Sequence, residues 1–128
     1  QERGLTYLYH NHWYEIANGA EELHTLCELT DPKLVSLCLD IGWVERAEGA
    51  SVVDVTTEFL DRIAYFHLKD TKGEKFVSLG AGTVDFPGWL AAIEGKGDFY
   101  LTYERDEFLP TALESAISTR EYLRTFGL

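Results

Sequence analysis

Four short apolar runs in this chain each end in side chains that can bind a metal ion, and this repeat restricts the fold more than any other feature. The runs are LTYLY (5–9), LVSLCL (34–39), IAYF (63–66) and FYLTY (99–103). The ligand-type residues that follow them are His10, His12 and Glu15, then Asp40, then His67 and Asp70, then Glu104 and Asp106. Helix-length segments separate the runs, an order typical of parallel strands joined by helical crossovers. The carboxyl ends of the strands are therefore expected to converge on one site.

This alternation predicts an α/β fold made of parallel (β/α) units. Strands are predicted over 5–9, 34–39, 63–68 and 99–103, and helices over 17–29, 51–61, 87–94 and 110–124. The segments after Asp40 and over 69–88 are predicted to be loops. A closed (β/α) barrel has eight strands and about 250 residues, with its active site at the carboxyl ends of the strands. The 128-residue chain supplies about four of those strands, so half a barrel is expected.

The charge of the chain disfavours several kinds of partner. Acidic residues outnumber basic ones by 22 to 11, and the formal net charge is −11. Because phosphate contacts need a basic surface, binding to nucleic acid or to anionic membranes is not expected. No apolar stretch approaches the roughly 20 residues that span a bilayer. Cys27 and Cys38 lack the short spacing of zinc or redox pairs, so free thiols in the cytoplasm are expected.

One divalent metal ion is predicted at the shared edge of the strands. Glu15, Asp40, His67 and Glu104 offer three oxygen donors and one nitrogen donor. This set suits Mn²⁺, Mg²⁺, Co²⁺ or Zn²⁺ with positions left open for a substrate. Two alternatives stay open, because either His10 or His12 could replace Glu15 as the first ligand.

Other residues near these strand ends are candidates for substrate contact. His10 and His12 lie two apart and share a side of the chain if the strand continues. Lys69 lies two residues after His67 and could neutralise a developing oxyanion, or simply pair with Asp70. Trp43 could stack on a sugar ring or pack at the rim of the fold. These side chains therefore have structural as well as functional interpretations.

At this level of detail the chain resembles a known superfamily. The segments that carry the resemblance run from His10 to Glu15 (HNHWYE) and from Leu39 to Trp43 (LDIGW), with FHLKD at 66–70, LGAGTVDF at 79–86 and Tyr103-Glu104. Their order and spacing are similar to those in the carboxy-terminal half of sugar phosphate isomerases and epimerases, the xylose isomerase-like TIM barrels. The resemblance covers nearly all of residues 1–128, and it predicts that they form the carboxy-terminal half of one barrel domain.

The resemblance implies a metal held by Glu15, Asp40, His67 and Glu104. It implies that Glu15 and Glu104 exchange a proton of the substrate while the metal polarises the adjacent oxygen and stabilises an enediolate, with His12 and Lys69 orienting the sugar. The expected activity is that of a metal-dependent isomerase or epimerase of sugars or sugar derivatives. Alternatives are a lyase or dehydratase acting on keto-inositols or keto-glycosides, and a non-catalytic sugar-binding fragment. The first four strands of such a barrel would come from a missing amino-terminal half or from a second copy in a homo-oligomer.

Overall fold

The protein alternates strands and helices, as its sequence predicts. The structure is a computed structural model that describes residues 4–107 and 111–128. In chain order its elements are β1 (Tyr7–His10), α1 (Trp13–Leu29), β2 (Val35–Asp40), α2 (Ile41–Arg46), α3 (Val52–Glu58), β3 (Ile63–Leu68), β4 (Asp70–Lys72), β5 (Lys75–Val77), α4 (Phe86–Ile93), β6 (Tyr100–Tyr103) and α5 (Ala112–Arg124).

Four of the strands form one parallel sheet in the order β1-β2-β3-β6. This arrangement confirms the prediction of consecutive parallel (β/α) units, and a partial barrel fits it. Each crossover contains at least one helix, which is what a parallel connection requires. The strands therefore all end at the same edge, where the predicted ligands follow them.

The two faces of the sheet differ in what covers them. Leu37 and Leu39 of β2 and Phe66 and Leu68 of β3 are fully buried in the hydrophobic core. Phe66 packs edge-on against Trp89 of α4, with ring centroids 5.1 Å apart. Because side chains alternate along a strand, the residues between these apolar ones point to the opposite face. That opposite face carries the ligand-type side chains.

The helices differ from the prediction at two places. Ile41–Arg46 forms α2, where a loop was predicted. Helix α1 begins at Trp13, earlier than predicted, and is kinked at Ala17–Ala20, where Asn18, Gly19 and Ala20 have positive φ. Helix α5 begins at Ala112 after the Thr111 cap, and Pro110, where the last helix was predicted to begin, lies outside the described residues.

The segment predicted as a loop over 69–88 contains the antiparallel hairpin β4–β5 and a turn folded around Asp70. The buried carboxylate of Asp70 accepts hydrogen bonds from the backbone N–H groups of Thr71, Gly80, Gly82 and Val84 at 2.8–3.2 Å. A Cβ atom at Gly82 would overlap that carboxylate and the carbonyl oxygen of Thr71. The LGAG sequence is therefore a turn that binds an internal carboxylate.

Two smaller expectations concern the membrane and the thiols. Within the described ranges, no helix is long and apolar enough to cross a membrane. Cys27 and Cys38 are free thiols, as predicted. Burial, together with the nearby charges of Asp40 and Glu104, raises the pKa of Cys38 to about 12, so this thiol stays protonated at neutral pH.

Candidate metal centre

Four ligand-type side chains meet at the carboxyl edge of the sheet. One atom from each of His10, Asp40, His67 and Glu104 lies within 4.8 Å of the corresponding atoms of the other three. The strand register explains the convergence, because Asp40 pairs with His67 and His67 pairs with Thr102. Glu104 lies two residues after Thr102 and its N–H continues the ladder to Leu68 at 3.1 Å. All four side chains therefore project from the same face.

Asp40 divides its two oxygens between structure and the cluster. Its Oδ1 caps α2 by accepting the N–H groups of Gly42 at 2.9 Å and Trp43 at 3.0 Å. Its Oδ2 faces the cluster, 3.3 Å from Nε2 of His10 and 3.9 Å from Nδ1 of His67. Asp40 can therefore cap α2 and face a metal at the same time, because each role uses a different oxygen.

Asn11 fixes the backbone of Asp40. Its side-chain Oδ1 accepts the N–H of Asp40 at 2.8 Å, and its Nδ2 lies 3.4 Å from the carbonyl oxygen of Asp40. Asn11 is almost completely buried. The amide therefore extends the pairing of β1 with β2 past the end of β1 and holds Asp40 in line with His10.

Lys69 is buried among carboxylates. Its Nζ lies 3.0 Å from Asp106, 3.3 Å from Asp40 and 3.4 Å from Glu104, and the side chain is 1% exposed. Burial lowers the pKa of Lys69, but Asp40, Asp106 and Glu104 outweigh it and hold that pKa above its usual value. Burial likewise raises the pKa of Asp40, while the hydrogen bond from His10 and the charge of Lys69 bring it below its usual value. Both side chains are charged at neutral pH.

Two buried atoms of the cluster have no hydrogen-bond partner. Nδ1 of His67 lies 2.6 Å from Oε2 of Glu104, and neither atom has a hydrogen-bond partner among the described residues. Buried polar atoms are normally satisfied. A cation bound to the carboxylate oxygen and to the lone pair of a neutral imidazole would satisfy both atoms, so the donor set fits a metal ion.

Glu15, predicted as the first ligand, lies outside this cluster. Its carboxylate accepts the hydroxyl of Tyr9 at 2.6 Å and the N–H of His12 at 2.8 Å, and the residue is buried. The hydrogen bond to Glu15, followed by burial, raises the pKa of Tyr9 above its usual range. Since both oxygens have partners at the start of α1, His10 takes the first position in the cluster, which is the alternative that the sequence left open.

The remaining predicted contact residues form an aromatic surface beside the cluster. The ring of His12 lies 5.1 Å from that of His10 and 5.3 Å from that of Trp43. Trp43 packs edge-on against Phe76 of β5 at 4.9 Å. Nζ of Lys69 lies 5.1 Å from the Trp43 ring, a distance at which a cation and an aromatic face attract each other. This surface borders the cluster on the α2 side.

A cavity also lies away from the cluster. It measures about 600 Å³ and lies between α4 and the residues that precede β6, with Leu90, Phe99 and Phe126 in its wall. None of the four cluster residues lines it. We place the site at the cluster, because the chemistry-bearing side chains converge there and the cavity is mainly apolar.

Comparison with known proteins agrees with this architecture. A sequence profile of the xylose isomerase-like TIM barrel matches residues 1–125. The chain belongs to this family. Among solved structures of the same fold, a sugar phosphate isomerase/epimerase from Parabacteroides distasonis superposes with a TM-score of 0.77 at 22% identity, over 95% of this chain and 46% of that one. The probable 3-DHS dehydratase AsbF from Bacillus anthracis gives 0.76 at 17% identity, over 96% and 50%.

Relatives within the xylose isomerase-like family include inosose dehydratases. The enzyme of Geobacillus thermodenitrificans is 30% identical, over 99% of this chain and 50% of its own length. The enzyme of Clostridium perfringens is 27% identical, over 97% and 49%. The chain therefore spans about half the length of the curated relatives it matches.

The structure brings together three of the four predicted ligands, Asp40, His67 and Glu104, and adds His10. The sequence interpretation missed the role of Asn11, which binds the backbone of Asp40, and the pairing of Asp106 with Lys69. No local signal identifies Asn11, because the backbone that its amide binds lies 29 residues away in the sequence. Asp106 lies beyond its strand in a segment where local sequence does not determine contacts.

Proposed function

We propose that this chain supplies the catalytic half of a metal-dependent lyase that removes water from a polyhydroxylated ketone of the sugar or inositol type. The observation that carries this proposal is the single accessible carboxylate in the cluster. The side chain of Glu104 is 35% exposed, whereas that of Asp40 is 0% exposed. Among the described residues, Glu104 is thus the cluster carboxylate that a substrate can reach.

The proposed roles follow from these positions. His10, Asp40, His67 and Glu104 would hold one divalent ion, which when bound supplies Lewis-acid polarisation of the ketone oxygen. Glu104 takes the proton from the carbon next to the ketone. The electron pair of that C–H bond becomes a C=C bond as the C–O bond on the next carbon breaks. The proton on Glu104 then passes to the departing hydroxyl, which leaves as water.

The count of proton-transfer groups favours this reaction over epimerisation. Elimination on one face of a ring needs one group that serves first as base and then as acid. Epimerisation needs removal of a proton from one face and delivery to the other. Glu15, the expected second group, is held by Tyr9 and His12 outside the cluster. The inosose dehydratase names of several relatives support the same choice.

An isomerase or epimerase is the second candidate, because His12 offers another group that can carry a proton. Its ring lies 5.1 Å from that of His10 at the edge of the cluster. If the substrate lay between His12 and Glu104, the two faces of one carbon would each meet a titratable side chain. Trp43, beside His12, would then support the sugar ring.

Product analysis in D₂O separates these candidates. The protein would be incubated with Co²⁺ and a panel of inososes and ketoses, and products followed by proton NMR. We expect an unsaturated product. We expect no epimer of the substrate, and therefore no deuterium at an inverted carbon. Glu104→Gln should abolish the reaction, while the exposed Glu107→Gln serves as the matched control. Inversion with deuterium uptake would contradict the lyase, and sugar binding without turnover would indicate a binding module.

We further propose that four strands from another segment of the same protein complete the barrel. Tyr7 on edge strand β1 and Tyr100 on edge strand β6 are 62% and 77% exposed, although unpaired edges are normally protected. Intact mass and solution mass by light scattering test this proposal. A single polypeptide well above 14.5 kDa supports it, and a 14.5 kDa polypeptide that doubles in solution would favour a second copy.

A further inference from the structure

Past the end of β6 the side chains continue to alternate, one set facing the cluster and the other facing α5. Glu104 and Asp106 both approach Nζ of Lys69, at 3.4 and 3.0 Å. Arg105, which lies between them, turns the other way and bonds to Oγ of Ser115 on α5 at 2.9 Å. Because neighbouring residues of an extended chain point to opposite sides, the contact that holds Arg105 also sets the direction of Glu104.

We propose that Arg105 is a positioning residue, which through its bond to Ser115 aims the carboxylate of Glu104 at the metal and the substrate. The inference rests on the proposed function, in which Glu104 is both a ligand and the proton-transfer group, and it adds the residue that orients Glu104. Arg105 acts from behind the strand and through the backbone, so it takes no part in the chemistry itself.

The backbone around Glu104 needs an anchor of this kind. The sheet ladder ends at Glu104, whose N–H donates to the carbonyl oxygen of Leu68 at 3.1 Å. Among the described residues, no backbone hydrogen bond holds 105–107 beyond that point. The side chain of Glu104 is also 35% exposed, so packing restricts it little. Since a proton-transfer group must be held to within about 0.5 Å of its productive position, side-chain bonds have to fix this segment.

Arg105 joins three elements behind the cluster. Its Nη1 donates to Oγ of Ser115 on α5 and, at 3.1 Å, to Oγ of Ser78, which directly follows β5. The hydroxyl of Tyr103 lies 2.6 Å from the same oxygen of Ser115, which is buried. No described carboxylate lies within ion-pair distance of Arg105. Its guanidinium therefore supplies fixed hydrogen bonds, which are stronger from a charged donor than from a neutral one.

Hydrogen exchange tests the positioning without metal or substrate. Exchange of the Glu104 N–H would be followed by NMR in the intact, metal-free protein, as wild type, Arg105→Met and Arg120→Met. Arg120 is an exposed arginine on α5 and gives the matched control. We expect Arg105→Met to speed exchange at Glu104 by about tenfold or more, because local opening governs exchange. The amides of β3, inside the sheet, should keep their wild-type rates, and Arg120→Met should match wild type throughout.

Two further variants keep the inference testable if Arg105→Met does not fold. Ser115→Ala removes the partner on α5 and should also speed exchange at Glu104, whereas Arg105→Lys keeps a charged donor and should restore much of the protection. The double variant of Arg105→Met and Ser115→Ala should exchange no faster than Arg105→Met alone, because both changes remove the same bond. Wild-type protection of Glu104 in Arg105→Met, or in Ser115→Ala, would overturn the inference.

Metal binding and turnover separate positioning from a general effect on stability. Co²⁺ affinity, measured by competition with a chromophoric chelator, should fall by about tenfold in Arg105→Met, because a displaced Glu104 is a poorer ligand. With saturating Co²⁺ and the same panel of inososes and ketoses, kcat should fall by about tenfold or more with KM little changed. A lower unfolding midpoint with unchanged Co²⁺ affinity and unchanged kcat would reduce Arg105 to a structural residue and overturn the proposal.

The failure of this inference is distinguishable from that of the proposed reaction. Faster exchange at Glu104 and weaker Co²⁺ binding in Arg105→Met, with no unsaturated product from wild type, would refute the lyase and support the positioning role. Dehydration by Arg105→Met at the wild-type kcat would support the lyase and refute the positioning role.

Discussion

Replacing Lys69 with methionine tests whether its ammonium stabilises the buried carboxylate of Asp40. The substitution keeps most of the apolar stem and removes the ammonium that lies 3.3 Å from Asp40. Of the three carboxylates around Nζ, those of Glu104 and Asp106 are 35% and 48% exposed, so water screens them. Asp40 is 0% exposed and becomes a buried charge that has lost its fixed cationic partner.

Removing one partner of a buried ion pair typically costs about 3–5 kcal/mol. Asp40 retains the two amides of α2 and the side chain of His10, so the lower end, about 3 kcal/mol, is expected for Lys69→Met. With urea m-values of about 1–3 kcal/mol/M, the unfolding midpoint should fall by roughly 1–3 M.

The assay is urea unfolding followed by circular dichroism, with and without Co²⁺. A bound divalent ion supplies positive charge at the same carboxylates, so Co²⁺ should stabilise Lys69→Met more than it stabilises wild type. Lys72→Met is the matched control, because Lys72 lies on the neighbouring strand β4 and is exposed. If Lys69→Met unfolds at the wild-type midpoint in the absence of metal, the assignment of Lys69 as the charge partner of Asp40 is refuted.

Two further substitutions test the residues that position the site. Asn11→Ala removes both side-chain contacts with the backbone of Asp40 and should lower the free energy of unfolding in urea by about 1–3 kcal/mol. It should also weaken Co²⁺ binding by about tenfold. Unchanged binding would show that the backbone of Asp40 is held without Asn11. Gly82→Ala places a methyl group against the Asp70 carboxylate and should lower stability by about 1–3 kcal/mol. Gly97→Ala, whose Cβ would have its closest contact at 3.4 Å, is the control and should unfold close to wild type.

The parallel sheet could be predicted because its determinants are local. Each strand is an apolar run of ordinary strand length, and helical segments between the runs force parallel pairing. The convergence of Asp40, His67 and Glu104 follows from that topology, since residues directly after parallel strands share one edge. Here local preference and global fold agree, which is when sequence patterns predict structure well.

The hairpin β4–β5 and helix α2 could not be predicted because distant contacts determine them. The strand Lys75–Val77 is only 3 residues long, and the segment folds around Asp70 through amides 10 to 14 residues further along. Gly42 suggested a loop, but it lies in α2. A Cβ atom at Gly42 would lie 2.7 Å from the side chain of Lys69. Close packing, and not local flexibility, explains that glycine.

The first ligand could not be identified because the answer depends on where β1 ends. His10, His12 and Glu15 fall within six residues, and a small change in the strand boundary alters which of them faces the cluster. The strand ends at His10, and α1 begins at Trp13 with His12 as its cap. Glu15 then occupies the third helical position, where an acidic side chain bonds back to the N–H of the cap residue, as in a capping box. Because that bond occupies Glu15 at the helix start, the carboxylate that the resemblance assigns to the metal serves the fold instead. His10 is then the residue of this segment that joins the cluster.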